Sequence, residues 1–304
     1  MHAAGSRGGC PPGMLGGGQS DNTAVIGREA TVPVTDLNGT PLYHRTEGDG
    51  PTVVLVHGSW TDGDSWAGVV PLLAERCSVT VYDRRGHSRS ESAEPPGQGS
   101  VHEDVEDLAA LIHHLELGPV HVCGNSYGAL ITLRLAAAHP DLVRALTVHE
   151  PPGVRLLEAD PATKPLADGF RERVEPVRAL LEAGDGEAAA ERFVETVAFG
   201  LGGWRRLPEP VRASFVRNGP TFLDELRDPD CLGLDLAALH AFPHPALLTR
   251  SDDSPPMFAP VLDLVAAFLP QAERHTYSGA GHAPHAGQPE EYAQVTLRHI
   301  LAGT

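Results

Sequence analysis

From Glu29 onward, short β-branched runs alternate with amphipathic helical patterns, and this alternation constrains the chain more than any other feature. Strands separated by helices are joined by crossovers rather than hairpins, so they predict an α/β fold with a mainly parallel sheet. Eight stretches have the composition of strands: residues 30–35, 41–46, 52–57, 78–82, 120–123, 145–149, 246–250 and 272–277. The runs TVVLVH (52–57) and VHVC (120–123) are almost continuously apolar, as strands covered on both faces require. The first two candidates instead flank Asn38-Gly39, a dipeptide suited to a tight hairpin, and predict an antiparallel edge.

Between residues 101 and 115, Val101, Val105, Leu108, Leu111, Ile112 and Leu115 recur with a helical period. The acidic Glu103, Asp104, Glu106 and Asp107 among them predict a solvated outer face near the helix N-terminus, where the dipole favours negative charge. After residue 151 the rhythm changes. Helical patterns at 170–181, 187–199 and 210–216 replace the strands, and the strand–helix alternation resumes only at 246, closing with a helix over 289–301. The organisation expected is a tail at 1–28, a core domain made of 29–151 and 244–304, and a helical insertion at 152–243. The tail is rich in Gly, Pro and Ser, and too poor in large apolar side chains to offset the entropy of ordering, which predicts disorder.

Composition narrows the function. The formal net charge of -17 repels phosphate and anionic lipid, and no local basic patch offsets it, which argues against nucleic-acid or membrane partners. No apolar run reaches the roughly 18 residues of a membrane-spanning helix, and the first residues lack the apolar stretch of a secretory signal. The four cysteines (Cys10, Cys77, Cys123, Cys231) are scattered without metal-ligand spacing, so a cytoplasmic chain with free thiols is expected. Histidine pairs such as His113/His114 and His282/His285 lack a third ligand at suitable spacing, so no metal is expected.

Three motifs carry the chemistry. The strand at 120–123 runs into Gly124-Asn125-Ser126-Tyr127-Gly128 and then into the helical run ALITLRLAAAHP. G-x-S-x-G between a strand and a helix is the context of a nucleophile elbow, in which a sharp turn presents the serine Oγ at the top of the sheet. His57-Gly58-Ser59-Trp60 follows the apolar strand TVVLVH. The glycine allows a turn that aims an N–H, assigned to Ser59, at the elbow, where it joins the N–H of Tyr127 in an oxyanion hole. His57 itself is expected to hold that loop. Gly281-His282 lies after the last strand, in TYSGAGHAPHAGQPEEY, and supplies a histidine at the edge of the sheet where a general base is needed. His285, three residues on, is the competitor. Trp60 and Tyr127, adjacent to the oxyanion donors, are expected to form the pocket wall.

With HGSW at 57–60, YDRRGHSRS at 82–90, GNSYG at 124–128 and SGAGHAPHAGQPEEY at 278–292, the chain resembles the α/β-hydrolase superfamily over about residues 30 to 303. The resemblance implies an α/β-hydrolase fold: a mostly parallel eight-stranded sheet with helices on both faces and a helical cap inserted after the sixth strand. The segment YDRRGHS departs from the common D-x-R-G-x-G-x-S form by carrying His87 where glycine is usual. Members with aspartate at the elbow form the dehalogenase and epoxide-hydrolase branches, and Ser126 argues against both.

The third member of the triad is open between two places. In most members the acid follows the seventh strand, where this chain reads ALLTRSDDSPPMF, offering Asp253 and then Asp252. Haloalkane dehalogenase-like relatives take it from the end of the sixth strand, where this chain has Glu150 in ALTVHEPPG. A carboxylate entering a Pro-Pro turn at the edge of a parallel sheet is costly without a partner, which puts Glu150 first.

The resulting expectation is a cofactor-independent serine hydrolase. It would cleave an ester, thioester or lactone of a medium-sized, largely apolar small molecule, using Ser126, His282 and Glu150. One alternative keeps the triad as acid and base for non-hydrolytic lyase or cyclase chemistry. Another is a non-catalytic small-molecule binding protein on the same scaffold. Of the cap aromatics Phe193, Phe199, Trp204, Phe215 and Phe222, most are expected in the cap's own core.

Overall fold

The computed structural model describes residues 34–91 and 95–302. The expected tail at 1–28 and the first residues of the first strand candidate lie outside them.

The eight strands are β1 (Val34–Leu37), β2 (Thr40–Glu47), β3 (Thr52–Val56), β4 (Ser78–Tyr82), β5 (Val120–Asn125), β6 (Val143–His149), β7 (Ala246–Ser251) and β8 (Glu273–Tyr277). They form one sheet in the order β1-β2-β4-β3-β5-β6-β7-β8. The pairs β1/β2 and β2/β4 are antiparallel, and every other pair is parallel. Asn38 and Gly39 both take positive φ (52° and 75°), so the β1–β2 hairpin turns where the Asn-Gly dipeptide predicts it.

Before the inserted helices come α1 (Val70–Ala74), α2 (Val101–His114) and α3 (Tyr127–Ala138). Between β6 and β7 the described chain is helical: α4 (Lys164–Glu182), α5 (Gly186–Phe193), α6 (Gly203–Arg206), α7 (Glu209–Asn218), α8 (Phe222–Arg227) and α9 (Leu236–His240), with short irregular helical turns between them. The chain closes with α10 (Phe258–Phe268), α11 (Pro284–Gly287) and α12 (Pro289–Ala302). None of the helices among the described residues is long and apolar enough to cross a membrane.

The period-2 geometry of β3 shows why its run is apolar throughout. Val54 and Val56 pack with α2 and α3, while Val53 and Leu55 pack with α1 and α12 on the opposite face. A third cluster belongs to the inserted helices, with Phe170, Phe193, Trp204, Phe215 and Phe222 gathered around Trp60 and against Phe258 of α10. Phe199 packs against it from a partly buried position. The cap aromatics are therefore mostly core, as their helical spacing suggests.

One expectation is corrected. The acidic residues of α2 do not all face solvent: Asp104 and Asp107 are buried. Asp107 accepts two hydrogen bonds from Arg85 (Nε 2.7 Å, Nη2 2.9 Å) and one from Asn38 Nδ2 (3.0 Å). Asp104 Oδ2 accepts from Arg84 Nη1 at 3.0 Å. The helical period marks apolar positions, but it is blind to two arginines brought over the helix from the loop after β4. Asp107→Ala removes the buried carboxylate and its bonds to Arg85 and Asn38, while Arg85 keeps Glu103 Oε1 at 2.6 Å, a loss of about 1.5–3 kcal/mol. It should therefore lower the melting temperature by roughly 3–6 °C. Glu106→Ala, which removes an exposed carboxylate paired among the described residues with His139, should shift it by about 1 °C or less.

Candidate active site

Six parallel strands end on the same edge of the sheet, and each is followed within a few residues by a side chain discussed here: Ser59 after β3, Arg84 after β4, Ser126 after β5, Glu150 after β6, Ser251 closing β7 and His282 after β8. The carboxyl-terminal edge of an open parallel sheet is where α/β folds bind ligands.

Ser126 caps α3 with φ 56° and ψ -123°, outside the regions a serine adopts without strain. The flanking glycines make the turn possible. A Cβ at Gly124 would come 2.3 Å from the Gly128 carbonyl oxygen, and one at Gly128 would come 2.2 Å from that of Val56. The Ser126 N–H donates to the His149 carbonyl at 2.8 Å, tying the elbow to the end of β6 beside Glu150. The N–H of Tyr127, the first residue of α3, is one of the helix-terminal donors without an intrahelical acceptor.

The loop after β3 lies against this elbow. A Cβ on Gly58 would be 3.1 Å from Ser126 Cβ. His57 is buried, its Nδ1–H donating to the Gly58 carbonyl (2.9 Å) while Nε2 accepts the Arg84 N–H (2.9 Å). Burial and the nearby Arg84 guanidinium hold its pKa well below the usual histidine range, so it stays neutral. It braces the loop, as the motif implies.

His282 Nδ1 and Glu150 Oε2 are 2.6 Å apart, with both residues buried. Glu150 has φ 47° and accepts the Ser251 N–H on its other oxygen at 2.7 Å. Burial alone would raise its pKa, but the neighbouring His149 imidazole and the hydrogen bond with His282 outweigh that and hold the carboxyl well below the usual range. An ionised Glu150 fixes the proton on His282 Nδ1 and leaves Nε2 as the acceptor. Phe258 stacks on the His282 ring at 4.2 Å and 12° between planes. A second imidazole, His149, has its Nε2 3.4 Å from Glu150 Oε2. Ligand atoms of His149, Glu150 and His282 lie within 4.8 Å of one another. At 2.6 Å, though, the Glu150–His282 contact is a hydrogen bond, shorter than the about 3.3 Å separating two ligands on a tetrahedral ion.

The other candidates for the acid are elsewhere. Asp252 is exposed, and its Oδ1 accepts the Gly279 N–H at 2.7 Å. The Asp253 carboxylate makes no hydrogen bond among the described residues. His285 is buried against Trp66, with ring centroids 4.4 Å apart, and burial depresses its pKa to about 3. Ser126 Oγ forms no hydrogen bond with His282 among the described residues; contacts of this kind commonly tighten only around a substrate.

The expected pocket wall needs correction. Trp60 is fully buried at φ 67°, stacked on Phe193 (4.7 Å) and covered by Gly219, where a Cβ would come 2.7 Å from the indole. Tyr127 is equally buried, with the Arg84 guanidinium 4.7 Å above its ring. Both rings join the sheet to the inserted helices. A cleft of about 560 Å³ lies among α4, α8 and the turns around them, where Phe170, Val174 and Leu226 alternate with charged side chains such as Arg171, Glu175 and Glu225. A smaller cleft, about 300 Å³, is formed by Arg85, Pro95, Pro96, Arg217 and their neighbours. Neither cleft is lined by Ser126, Glu150 or His282.

Glu225 lies in no motif, and Arg84 lies within YDRRGHSRS with no role assigned to it there. Arg84 is buried and reaches Asp104, Glu225 Oε1 (3.2 Å), His87 Nε2 (3.1 Å) and the Gly58 carbonyl (3.5 Å). His87, the departure from the usual loop sequence, also lies 2.9 Å from Thr221 Oγ1 of the inserted segment.

The alpha/beta hydrolase family model matches residues 53–295. The pimeloyl-[acyl-carrier protein] methyl ester esterase of Methylococcus capsulatus is 29% identical over 277 residues, covering 86% of this chain and 99% of that protein. The uncharacterized hydrolase YraK of Bacillus subtilis is 36% identical over 122 residues, and this match spans only 45% of its length. Among solved structures, the enol-lactonase from Burkholderia xenovorans superposes with a TM-score of 0.69 at 21% identity, over 89% of this chain and 100% of that one.

Proposed function

Because the chain belongs to the alpha/beta hydrolase family, we propose that it is a cofactor-independent serine hydrolase of an ester, thioester or lactone of a medium-sized, largely apolar small molecule. The observation that carries this reading is the strained elbow: a serine at φ 56°, held between two glycines that tolerate no Cβ. Strain of this kind, about 1–3 kcal/mol, persists where function requires it. One relative is named for a methyl ester and one structural neighbour for an enol-lactone, both substrates with an acyl carbonyl.

In this reading Ser126 Oγ attacks the carbonyl carbon while His282 Nε2 takes the hydroxyl proton. Glu150 holds His282 Nδ1–H and stabilises the imidazolium. The N–H groups of Ser59 and Tyr127 receive the negative charge that moves onto the carbonyl oxygen. When the tetrahedral species collapses, the bond to the leaving oxygen or sulfur breaks and His282 returns its proton to that atom. Water, deprotonated by the same nitrogen, then releases the acid and restores Ser126.

Turnover of p-nitrophenyl butyrate and of a δ-lactone in 18O-labelled water tests it. One labelled oxygen in each acid product is expected. Turnover that leaves the products unlabelled would make the chemistry non-hydrolytic.

A further inference from the structure

We infer that Glu225, on the inserted helix α8, is a positioning residue for the oxyanion-donating loop, acting through Ser59 and Arg84. The inference rests on Ser59 N–H being an oxyanion donor. Ser59 Oγ donates to Glu225 Oε2 at 2.6 Å, and Arg84 Nη2 donates to Glu225 Oε1 at 3.2 Å. The same Arg84 nitrogen lies 3.5 Å from the Gly58 carbonyl, which also accepts from His57 Nδ1 (2.9 Å) and Thr61 Oγ1 (3.3 Å).

The Gly58 carbonyl and the Ser59 N–H belong to one peptide plane and point in opposite directions across it. Anchoring the carbonyl therefore aims the N–H. Glu225 acts on both ends of that peptide, holding the Ser59 side chain directly and the guanidinium that reaches the Gly58 oxygen. A carboxylate contributed by the inserted helices thus completes the geometry of a loop of the sheet. Seating α8 and aiming the donor become a single event.

The surroundings make the arrangement sensitive to protonation. Burial pushes the Glu225 carboxyl up to about 7, against the opposing pull of Arg84 and Ser59 and with Asp104 adding to the rise. Asp104, held by the other terminal nitrogen of Arg84, is itself pushed up to about 6 by burial. The groups facing this cluster are Arg84, Asp104, Tyr127 and His87 from the sheet side. From the inserted segment come the Cys231 thiol, hydrogen-bonded to the Glu225 carbonyl, the Arg155, Arg171, Arg178 and Arg227 side chains that share its cleft, and the Glu158, Glu175 and Asp228 carboxylates set among them. Ionised Glu225 accepts from both Ser59 and Arg84. Protonation removes its charge and weakens the hold.

The test is steady-state hydrolysis of p-nitrophenyl butyrate by the full chain carrying Glu225→Gln, Ser59→Ala, both, or Ser126→Ala, with thermal melts alongside. Mispositioning one donor should lower kcat about tenfold, with KM changed less than about twofold. Ser59→Ala should lower kcat in the same direction, and the double variant should be no slower than Glu225→Gln alone, because the Ser59 hydroxyl holds the loop through Glu225. An unchanged kcat in Glu225→Gln, or losses that multiply in the double variant, would overturn the inference. Should Glu225→Gln fail to fold, Ser59→Ala decides it alone: a tenfold fall in kcat at an unchanged melting temperature supports it, and an unchanged kcat overturns it. Wild-type turnover by Ser126→Ala would instead sink the underlying hydrolase reading, whereas an inactive Ser126→Ala beside a fully active Glu225→Gln would sink only the role of Glu225.

Discussion

Replacing Ser126 with alanine is expected to lower kcat for p-nitrophenyl butyrate on the order of 10⁶-fold, leaving only the turnover that donors and binding provide. The size follows from covalent catalysis: without Oγ there is no acyl-enzyme, and His282 has no hydroxyl to deprotonate. Nothing else should change much. The serine's backbone is fixed by Gly124, Gly128 and the bond from its N–H to the His149 carbonyl, and alanine keeps all three. Melting within a few degrees of the parent, with activity abolished, is the expected pair of results. Retained activity would mean that the chemistry lies elsewhere.

Glu150 carries the second large effect. Glu150→Ala should reduce kcat about 10⁴-fold, the scale seen when an imidazole loses the carboxylate that sets its tautomer. Glu150→Gln should be nearly as damaging. The amide can donate to His282 Nδ1, which moves the ring proton to Nε2 and leaves no acceptor for the serine proton. The pH dependence follows from the shift cited above. Because the Glu150 carboxyl sits well below its ordinary range, it remains ionised throughout the range in which histidine titrates. It should therefore contribute no acid limb of its own between pH 5 and 9. The sign for stability is the same: a depressed carboxyl stabilises the fold above its unfolded pKa and loses that contribution only as pH falls through the folded value. Asp252→Ala and Asp253→Ala, whose carboxylates do not touch His282, should retain kcat within about twofold. Loss of activity in Asp253→Ala, with Glu150→Ala unaffected, would reverse the assignment.

The parts of this molecule that are legible in its sequence are those set by local rules. TVVLVH and VHVC are apolar on alternate residues of both faces, so the parallel sheet and its covering helices follow directly. Asn38-Gly39 announces the hairpin. G-x-S-x-G between strand and helix places Ser126, because the glycines are demanded by neighbours only one or two residues away. What local rules miss is contact between distant segments. The ALTVHEPPG strand end makes Glu150 a plausible acid, but only the pairing of β6 with β7 and the course of the last loop bring His282 to it.

Asp104 and Asp107 read as solvated because the helical period of α2 carries no trace of Arg84 and Arg85. Trp60 reads as a pocket wall from its place after Ser59, yet the inserted helices close over it. Glu225 did leave a signal. In FLDELR it falls three residues after Phe222 and one before Leu226, on the apolar face of α8, where a glutamate is costly without partners. Its partners, Ser59 and Arg84, come from two different loops of the sheet, and no spacing rule connects them.

Covalent capture at the elbow tests the central claim most directly. The full chain is treated with a fluorophosphonate, digested and mapped by mass spectrometry, in parallel with Ser126→Ala and Glu150→Ala. A single adduct on Ser126, absent from Ser126→Ala and formed far more slowly in Glu150→Ala, is the expected result. An unlabelled chain, or an adduct on another residue with Ser126 left free, would contradict the assignment of Ser126 as the nucleophile.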